Sequence, residues 1–380
     1  MTKKAITEEP ITEELIAEEP ITEELVAEEP ITEELVAEEP ITNNELQSIS
    51  QNIADLKLED LGGIGPATRK KLKQAGIESV LQLAVALPDE LVENIGGSKE
   101  TAYQYISQAR KTLQDNNMVE KEFVPATEAL EWRKQILRCT TNSASLDTLL
   151  QGGIETQAMT EFYGEFNSGK TQIAHTLCVT CQQSPEENGL GGNALYIDTE
   201  STFRPERLVQ IAEGKGLDPK EVLQNVVVTK VYNSAHLELI VQSIGKYIEE
   251  KNIKLVIVDS IISLHRAEFI GRGTLSNRQQ RLNSVLHRLL RIAETYNVAI
   301  VVTNQVMSHP DTFFGDPIKA AGGNVLAHST TYRVYLRRSG KNRKAYMMDS
   351  PYHPFSEGIF TITTDGVVDS EKEKKQAATR

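Results

Sequence analysis

The sequence has few cysteines and no long apolar run. Its three cysteines, Cys139, Cys178 and Cys181, are too few for a disulfide framework. The Cys178 and Cys181 pair has no second pair or nearby histidines to complete a zinc site, so we expect small, apolar packing roles. The first residues, MTKKAITEEP, lack a signal-peptide core, and no stretch approaches about 18 consecutive apolar residues. These absences predict a cytoplasmic protein without a membrane partner.

Positive charge is scarce in one segment only. The chain has a net charge of -14, but residues 1–45 alone hold fifteen glutamates and two lysines. The remainder is nearly neutral, so local basic surfaces stay possible. Within this acidic tail a ten-residue unit, ITEELVAEEP and close variants, is repeated. Regular prolines and repelling glutamates predict disorder. The alternatives are an arm that competes with DNA for basic surface and a docking tract.

A length of 380 residues is typical of two or three domains of about 100–200 residues each. Residues 46–112 show short amphipathic helical patterns broken by glycine. Gly63 and Gly65 precede a basic stretch that includes Arg69 and Lys70. This arrangement is similar to a helix-hairpin-helix turn, in which glycines allow close approach to a DNA phosphate. An ordinary corner between two helices is an equally good interpretation from this pattern alone.

The rest of the chain predicts an α/β core. Residues 113–131 have the composition of a linker, and residues 371–380 form a charged tail. Between them, residues 132–370 alternate strand-like apolar runs with helical stretches. This alternation predicts a mostly parallel central sheet.

One motif carries a strong chemical prediction. The segment GEFNSGKT fits the phosphate-loop pattern GxxxxGK[ST], between a predicted strand and a predicted helix. Its backbone N–H groups would wrap ATP phosphates, Lys170 would neutralise phosphate oxygens, and Thr171 would bind Mg²⁺. The predicted ATP-binding residues are Gly164, Glu165, Phe166, Asn167, Ser168, Gly169, Lys170 and Thr171.

Polar residues follow other predicted strands. Asp259 ends the run LVIVD and is expected to act as a second ligand on the Mg²⁺ side. Glu200 follows the strand around Tyr196 and would orient or deprotonate the attacking water. Gln305 ends a further strand and would sense the γ-phosphate or that water. Exposed residues at strand ends are the alternative for Glu200 and Gln305.

Two glycine-containing stretches follow Asp259 and Gln305, and we expect both to be long functional loops. The first, residues 264–281, is rich in arginine; the second spans residues 306–329. Arginines, backbone amides and aromatic rings there would line a groove for a DNA strand. The candidate DNA-binding residues are Arg266, Arg272, Arg278, Phe313, Phe314, Gly322 and Gly323.

Taken together, these motifs resemble the archaeal RadA family within the RecA superfamily of strand-exchange recombinases. The resemblance covers roughly residues 50–370 and rests on segments such as GGIGPAT, YIDTESTFRPERL, EFIGRGTLSNRQQ and GDPIKAAGGNVLAHSTTYRVYLRR. It implies a RecA-like ATPase core preceded by an all-α helix-hairpin-helix domain.

The resemblance also implies roles for individual residues. Glu200 would polarise water, and residues 264–278 and 306–327 would be the two DNA-binding loops. His328 would couple DNA to the γ-phosphate, while Asp349 and Pro354 would cap ATP bound to the adjoining protomer. Phe123 and Ala126 match the family's Phe-x-x-Ala oligomerisation motif. Asn167 departs from the family, which has a smaller residue there, so an altered loop geometry is expected.

The expected function is therefore that of an ATP-dependent DNA recombinase. It would form homo-oligomeric filaments or rings, bind single-stranded and double-stranded DNA, use ATP and Mg²⁺, and work in the nucleoid with recombination mediators and a single-strand-binding protein. The alternatives are a recombinase paralogue that regulates filaments and a ring-forming DNA motor. The Phe-x-x-Ala linker disfavours the motor, and the presence of both DNA stretches and Glu200 disfavours the regulator.

Overall fold

The computed structural model describes residues 56–119, 121, 123–308 and 318–371. The predicted disordered tail, residues 1–45, lies outside these ranges, as do Phe313, Phe314 and nearly all of the charged segment 371–380. Residues 43–380 belong to one structural unit. No helix in the described part of the chain combines the length and apolar character needed to cross a membrane.

The described ranges contain thirteen α-helices, and the first four of them, α1 to α4, form the first domain. The helices of the described ranges are α1 (Pro66–Gln74), α2 (Val80–Val85), α3 (Pro88–Ile95), α4 (Lys99–Asp115), α5 (Ala126–Arg133), α6 (Ala144–Leu149), α7 (Lys170–Thr180), α8 (Pro205–Gly214), α9 (Pro219–Gln224), α10 (Ser234–Lys251), α11 (Ser263–Glu268), α12 (Leu275–Tyr296) and α13 (Gly323–Ser329), and short 3₁₀ turns cover Leu58–Asp60, Pro185–Glu187 and Arg272–Thr274.

Local sequence signals explain where the first helices start. Prolines occupy the first position of α1 and α3, where a missing N–H costs nothing. The Ser79 side chain caps α2, and Ser98 caps α4 in the same way. Buried leucines such as Leu72 close the small core. The domain is held against the α/β core by Glu249 on α10, which accepts hydrogen bonds from Ser79 and Gln82.

The second part of the chain is built on one large sheet. The strands of this part are β1 (Arg138–Cys139), β2 (Ile154–Glu155), β3 (Met159–Gly164), β4 (Asn193–Asp198), β5 (Val226–Lys230), β6 (Ile253–Asp259), β7 (Ala299–Ser308), β8 (Ile318–Ala320), β9 (Tyr332–Ser339), β10 (Asn342–Asp349), β11 (Glu357–Thr363) and β12 (Gly366–Asp369). Strands β1 and β2 pair antiparallel in a separate two-stranded sheet. The main sheet has the order β12-β11-β10-β9-β3-β7-β6-β4-β5, with β8 paired to β7.

Across the sheet, the neighbouring strands β5, β4, β6, β7, β3 and β9 are parallel. Strands β9, β10, β11 and β12 are antiparallel to one another in turn. Helices cover both faces, so strands such as β3 are buried along their whole length, as expected for a parallel sheet. Strand β10 lacks the apolar run that predicts a strand, because its buried positions combine the charged Arg343 with Ala345 and Met347. The predicted α/β fold class is confirmed. The three cysteines are free and buried, as expected.

A buried ion pair ties the middle of the sheet together. The Glu161 carboxylate on β3 accepts hydrogen bonds from Arg333 Nε on β9 at 2.6 Å and from Asn304 Nδ2 on β7 at 2.7 Å. Burial raises the pKa of Glu161, and the Arg333 guanidinium acts against that rise. Removal of one partner from such a pair leaves a buried charge without compensation.

We therefore expect Arg333→Met to lower the free energy of unfolding at neutral pH by about 3–5 kcal/mol. Without the guanidinium the pKa of Glu161 rises further, so stability is retained at low pH and lost as pH rises through that pKa. Urea denaturation should thus show a smaller deficit near pH 5 than near pH 7. Arg338→Met, an exposed change on the same strand, should cost under about 0.5 kcal/mol. An equal deficit for the two variants would contradict the role of the pair.

Candidate nucleotide site and DNA-binding segments

The phosphate loop connects the end of β3 to the start of α7. A Cβ on Gly164 would lie 2.2 Å from the Leu336 carbonyl oxygen, so packing requires glycine there. Gly169 has φ +109°, a left-handed conformation that lets the chain enter α7 at Lys170. The free N–H groups at the start of α7 are therefore presented at the carboxyl edge of the sheet, where they can bind phosphate.

Asn167 fits this loop although the family pattern has a smaller residue. Its φ is +63°, and asparagine adopts this region more readily than other residues with a side chain. Its Oδ1 accepts a hydrogen bond from Arg343 Nη2 at 3.4 Å. The loop geometry is thus compatible with an asparagine at position 167.

Lys170 lies inside the loop that it would serve. Its Nζ donates to the carbonyl oxygens of Gly164 at 2.9 Å and Glu165 at 3.0 Å. Burial lowers the pKa of Lys170, while the carboxylates of Asp259 and Glu200 oppose that effect. The ammonium is therefore held against the backbone of the phosphate loop.

Asp259 is the most heavily coordinated carboxylate of the site. The register of β4 and β6 places it opposite Asp198, at the carboxyl edge. Its Oδ2 accepts hydrogen bonds from Thr171 Oγ1 at 2.9 Å and from the Tyr196 hydroxyl at 2.6 Å. Its Oδ1 accepts from the Thr303 hydroxyl on β7. Asp259 thereby fixes the first turn of α7 to two neighbouring strands.

The donor set fits Mg²⁺ bound together with a nucleotide. A hydroxyl and a carboxylate are hard oxygen ligands, and Mg²⁺ in nucleotide sites keeps waters and substrate phosphates as its other ligands. No cluster of three or more His, Cys, Asp or Glu side chains suited to a metal occurs in the described ranges. Thr171 would hold the ion directly and Asp259 through water.

Glu200 follows β4, in a turn fixed by Asp198, whose Oδ1 accepts from the Glu200 N–H at 3.2 Å. The exposed Glu200 carboxylate uses one oxygen, Oε1, to accept from Ser260 Oγ at 2.9 Å and from Gln305 Nε2 at 2.8 Å. Gln305 Oε1 in turn accepts from Arg266 Nη1 at 3.2 Å. Two side-chain hydrogen bonds therefore connect Arg266 to Glu200 through Gln305.

One cavity of about 560 Å³ collects these groups. This volume lies within the range of small-molecule sites, about 300–1,000 Å³. Of the residues named from the sequence, its lining includes Gly164, Glu165, Phe166, Asn167, Gly169, Lys170, Thr171, Glu200, Asp259 and Gln305. Ser168 is buried beside them.

Other residues assigned from the resemblance lie elsewhere. Asp349 ends β10, and Pro354 precedes β11, both exposed. The exposed His328 lies on α13. In the described ranges no hydrogen bond joins any of the three to the phosphate loop of the same chain.

The first candidate stretch for DNA binding is not the long loop that we expected. Residues 264–281 contain α11, a 3₁₀ turn and the start of α12, which has no proline or glycine to interrupt it. Arg266 is therefore on α11 and Arg278 near the start of α12. The side chain of Arg272 is not among those described.

The second stretch is also partly regular. Strand β7 continues to Ser308, and α13 begins at Gly323. Gly322 and Gly323 both have positive φ, +96° and +65°, and lead the chain into α13. The intervening residues 309–317 are outside the described ranges.

In the helical domain, the glycine turn is formed as expected. Gly63 has φ +76°, and Gly65 caps α1. Arg69 Nε donates to the Ile64 carbonyl oxygen at 2.9 Å, so part of this guanidinium supports the turn itself. Lys70 is exposed on the same helix.

The linker presents apolar side chains to solvent. Phe123 is 93 % exposed, and the neighbouring Ala126 begins α5 and is also exposed. Pro125 between them has φ -60° and ψ 150°, an extended conformation. Both side chains are therefore accessible to another molecule.

Sequence reasoning missed the residues that support the site. His175 Nδ1 lies 2.7 Å from the Thr171 carbonyl oxygen, and its Nε2 accepts from the Arg204 N–H at 3.1 Å. Burial lowers the pKa of His175, in agreement with a neutral ring. The ring stacks on Phe203, with centroids 5.3 Å apart. The sequence spacing could have indicated this contact, because His175 lies one helical turn after Thr171 on the same helix.

A phosphate loop follows β3 at the edge of a parallel sheet, and a carboxylate ends β6, two strands away. This arrangement defines a P-loop nucleotide-binding core. Comparison with known proteins agrees: residues 132–370 match the Rad51 family, and residues 55–111 match the SAM-like helix-hairpin-helix tandem.

The chain is also 50% identical over 326 residues to the DNA repair and recombination protein RadA of Cenarchaeum symbiosum (strain A), covering 86% of this chain and 82% of that protein. The chain therefore belongs to the Rad51/RadA family of RecA-like recombinases. The resemblance found in the sequence is confirmed.

The left-handed conformation of Asn167 gives a direct test of the loop. Asn167→Gly should keep nucleotide affinity within about twofold, because glycine adopts positive φ without strain. Asn167→Val should weaken it by about tenfold or more, because a β-branched residue is strained at this φ. Titration with a fluorescent ATP analogue measures both. Equal affinities for the two variants would contradict the loop geometry.

Proposed function

We propose that this protein is an ATP-dependent DNA recombinase that assembles on single-stranded DNA and carries out homologous pairing and strand exchange. The observation that carries the proposal is the shared cavity. It joins the phosphate loop to Glu200 at the edge of the sheet where the DNA-binding segments begin. Family membership supports the same conclusion.

The chemical step that we assign to the cavity is ATP hydrolysis. Loop amides and Lys170 would bind the β- and γ-phosphates, and bound Mg²⁺ would neutralise charge on their oxygens. Glu200 would accept a proton from water as the water oxygen attacks the γ-phosphorus. The bond between that phosphorus and the β–γ bridging oxygen breaks, and ADP and phosphate leave.

Strand exchange would need no covalent chemistry from the protein. A filament would hold one strand extended, so that its bases can test pairing with a duplex. The DNA contacts would come from Arg266, Arg272, Arg278, Gly322, Gly323 and the helical domain, with sequence-independent attraction to phosphates. Hydrolysis of ATP would weaken the grip and allow release.

Assembly would use the exposed linker. Phe123 and Ala126 would occupy pockets on a neighbouring protomer, while Asp349 and Pro354 would cover ATP held by that neighbour. Their exposure within one chain, away from its own phosphate loop, supports contacts between protomers. We further propose a helical DNA-binding domain at residues 46–112, a linker at 113–131 and an ATPase core at 132–370. The protein would act in the nucleoid together with recombination mediators and a single-strand-binding protein.

Substitution of Glu200 tests the proposed reaction. Glu200→Gln should keep ATP affinity within about twofold and lower DNA-dependent ATP turnover by about 100-fold or more, because the amide cannot take up the proton. Phosphate release from ATP with and without single-stranded DNA measures this. D-loop formation by the unmodified protein is expected in parallel.

Glu206→Gln is the matched control, since Glu206 is an exposed carboxylate at the start of α8. Its turnover should stay within about twofold of the unmodified protein, as expected for a surface change. A Glu200→Gln protein that retains more than about a tenth of the turnover would rule out Glu200 as the general base.

A further inference from the structure

The hydrogen bonds around Glu200 include one group with no place in the reaction as described above. Arg266 on α11 donates to Gln305 Oε1, although both residues were expected to act elsewhere, one on DNA and one on the γ-phosphate. This contact fixes the orientation of the Gln305 amide, so its Nε2 faces Glu200.

We infer that Arg266 restrains Glu200 through Gln305 when DNA is absent, and that a DNA phosphate releases the restraint. This inference rests on the proposed function and adds a regulatory, positioning role for Arg266. It concerns the same cavity, but a step that precedes the chemistry.

The restraint holds the Glu200 carboxylate in one orientation through a single oxygen, Oε1. Glu200 Oε1 already accepts from Ser260 at 2.9 Å and from Gln305 at 2.8 Å, so two donors compete with water there. Loss of the Gln305 contact would return one lone pair to the reaction, while Ser260 would still hold the carboxylate in place.

The contact to Arg266 is the weakest of the three. Its 3.2 Å distance is at the long end for an N–H···O bond, Arg266 is exposed, and the acceptor is a neutral amide oxygen. A phosphate accepts two parallel, charge-assisted bonds from a guanidinium, which are shorter and about twice as strong. DNA phosphate would therefore displace Gln305 from Arg266, and the freed amide could turn away from Glu200.

The experiment compares ATP turnover without and with single-stranded DNA. Arg266→Ala should raise the DNA-independent rate by about fivefold, the effect expected when one long, exposed hydrogen bond of ordinary net strength is lost. The stimulation by saturating single-stranded DNA should fall by a similar factor. Arg266 is exposed, so the variant should fold, and circular dichroism checks this.

Two controls isolate the pathway. Lys111→Ala removes one exposed positive charge from α4 and should leave the DNA-independent rate within about 1.5-fold. In a Gln305→Ala background, Arg266→Ala should have no further effect on that rate, because the restraint passes through Gln305. Non-additivity of the two changes measures this coupling.

The outcomes are distinguishable. A DNA-independent rate that stays unchanged or falls in Arg266→Ala would overturn the inference, and so would a fivefold increase that persists without Gln305. In both cases the proposed function stands if the unmodified protein shows DNA-stimulated hydrolysis. A protein that hydrolyses no ATP with or without DNA would instead refute the proposed function.

Discussion

The Asp259 carboxylate is the interaction on which the rest of the site depends. It accepts hydroxyl hydrogen bonds from Thr171 on the phosphate-loop helix, from Tyr196 on β4 and from Thr303 on β7. A buried carboxylate is costly unless such donors surround it. Three separate segments are therefore held at one point, and the position of the phosphate loop is set by the strand order of the sheet.

The same strand order links the nucleotide to the segments proposed for DNA. Strand β6 ends at Asp259 and leads into α11, while β7 carries Gln305 and leads into the second DNA-binding stretch. The register pairs Gly164 with Gln305 across β3 and β7. The phosphate loop and the starts of both proposed DNA segments therefore lie at the same edge of adjacent strands. A recombinase that grips DNA only with ATP would use this arrangement.

Much of this arrangement could be predicted from the sequence, because it depends on local patterns. The phosphate loop has a fixed spacing, and Asp259, Glu200 and Gln305 follow apolar runs, so parallel strands bring them to one edge. The stretch 264–281 was predicted wrongly as a loop. Its two glycines favour a loop, but the helix that begins at Leu275 contains no glycine or proline. The link from Arg266 to Glu200 joins residues 66 positions apart and depends on side-chain directions that no sequence pattern reveals.

The central claim is that ATP held between protomers controls the grip on DNA. Fluorescence anisotropy of a labelled single-stranded oligonucleotide, with Mg²⁺ and with or without a non-hydrolysable ATP analogue, tests it most directly. The account predicts at least about tenfold tighter binding with the analogue, a difference of about 1.4 kcal/mol. Phe123→Glu, which we expect to block assembly, should remove this gain. Equal affinity with and without the analogue in the unmodified protein would contradict the account.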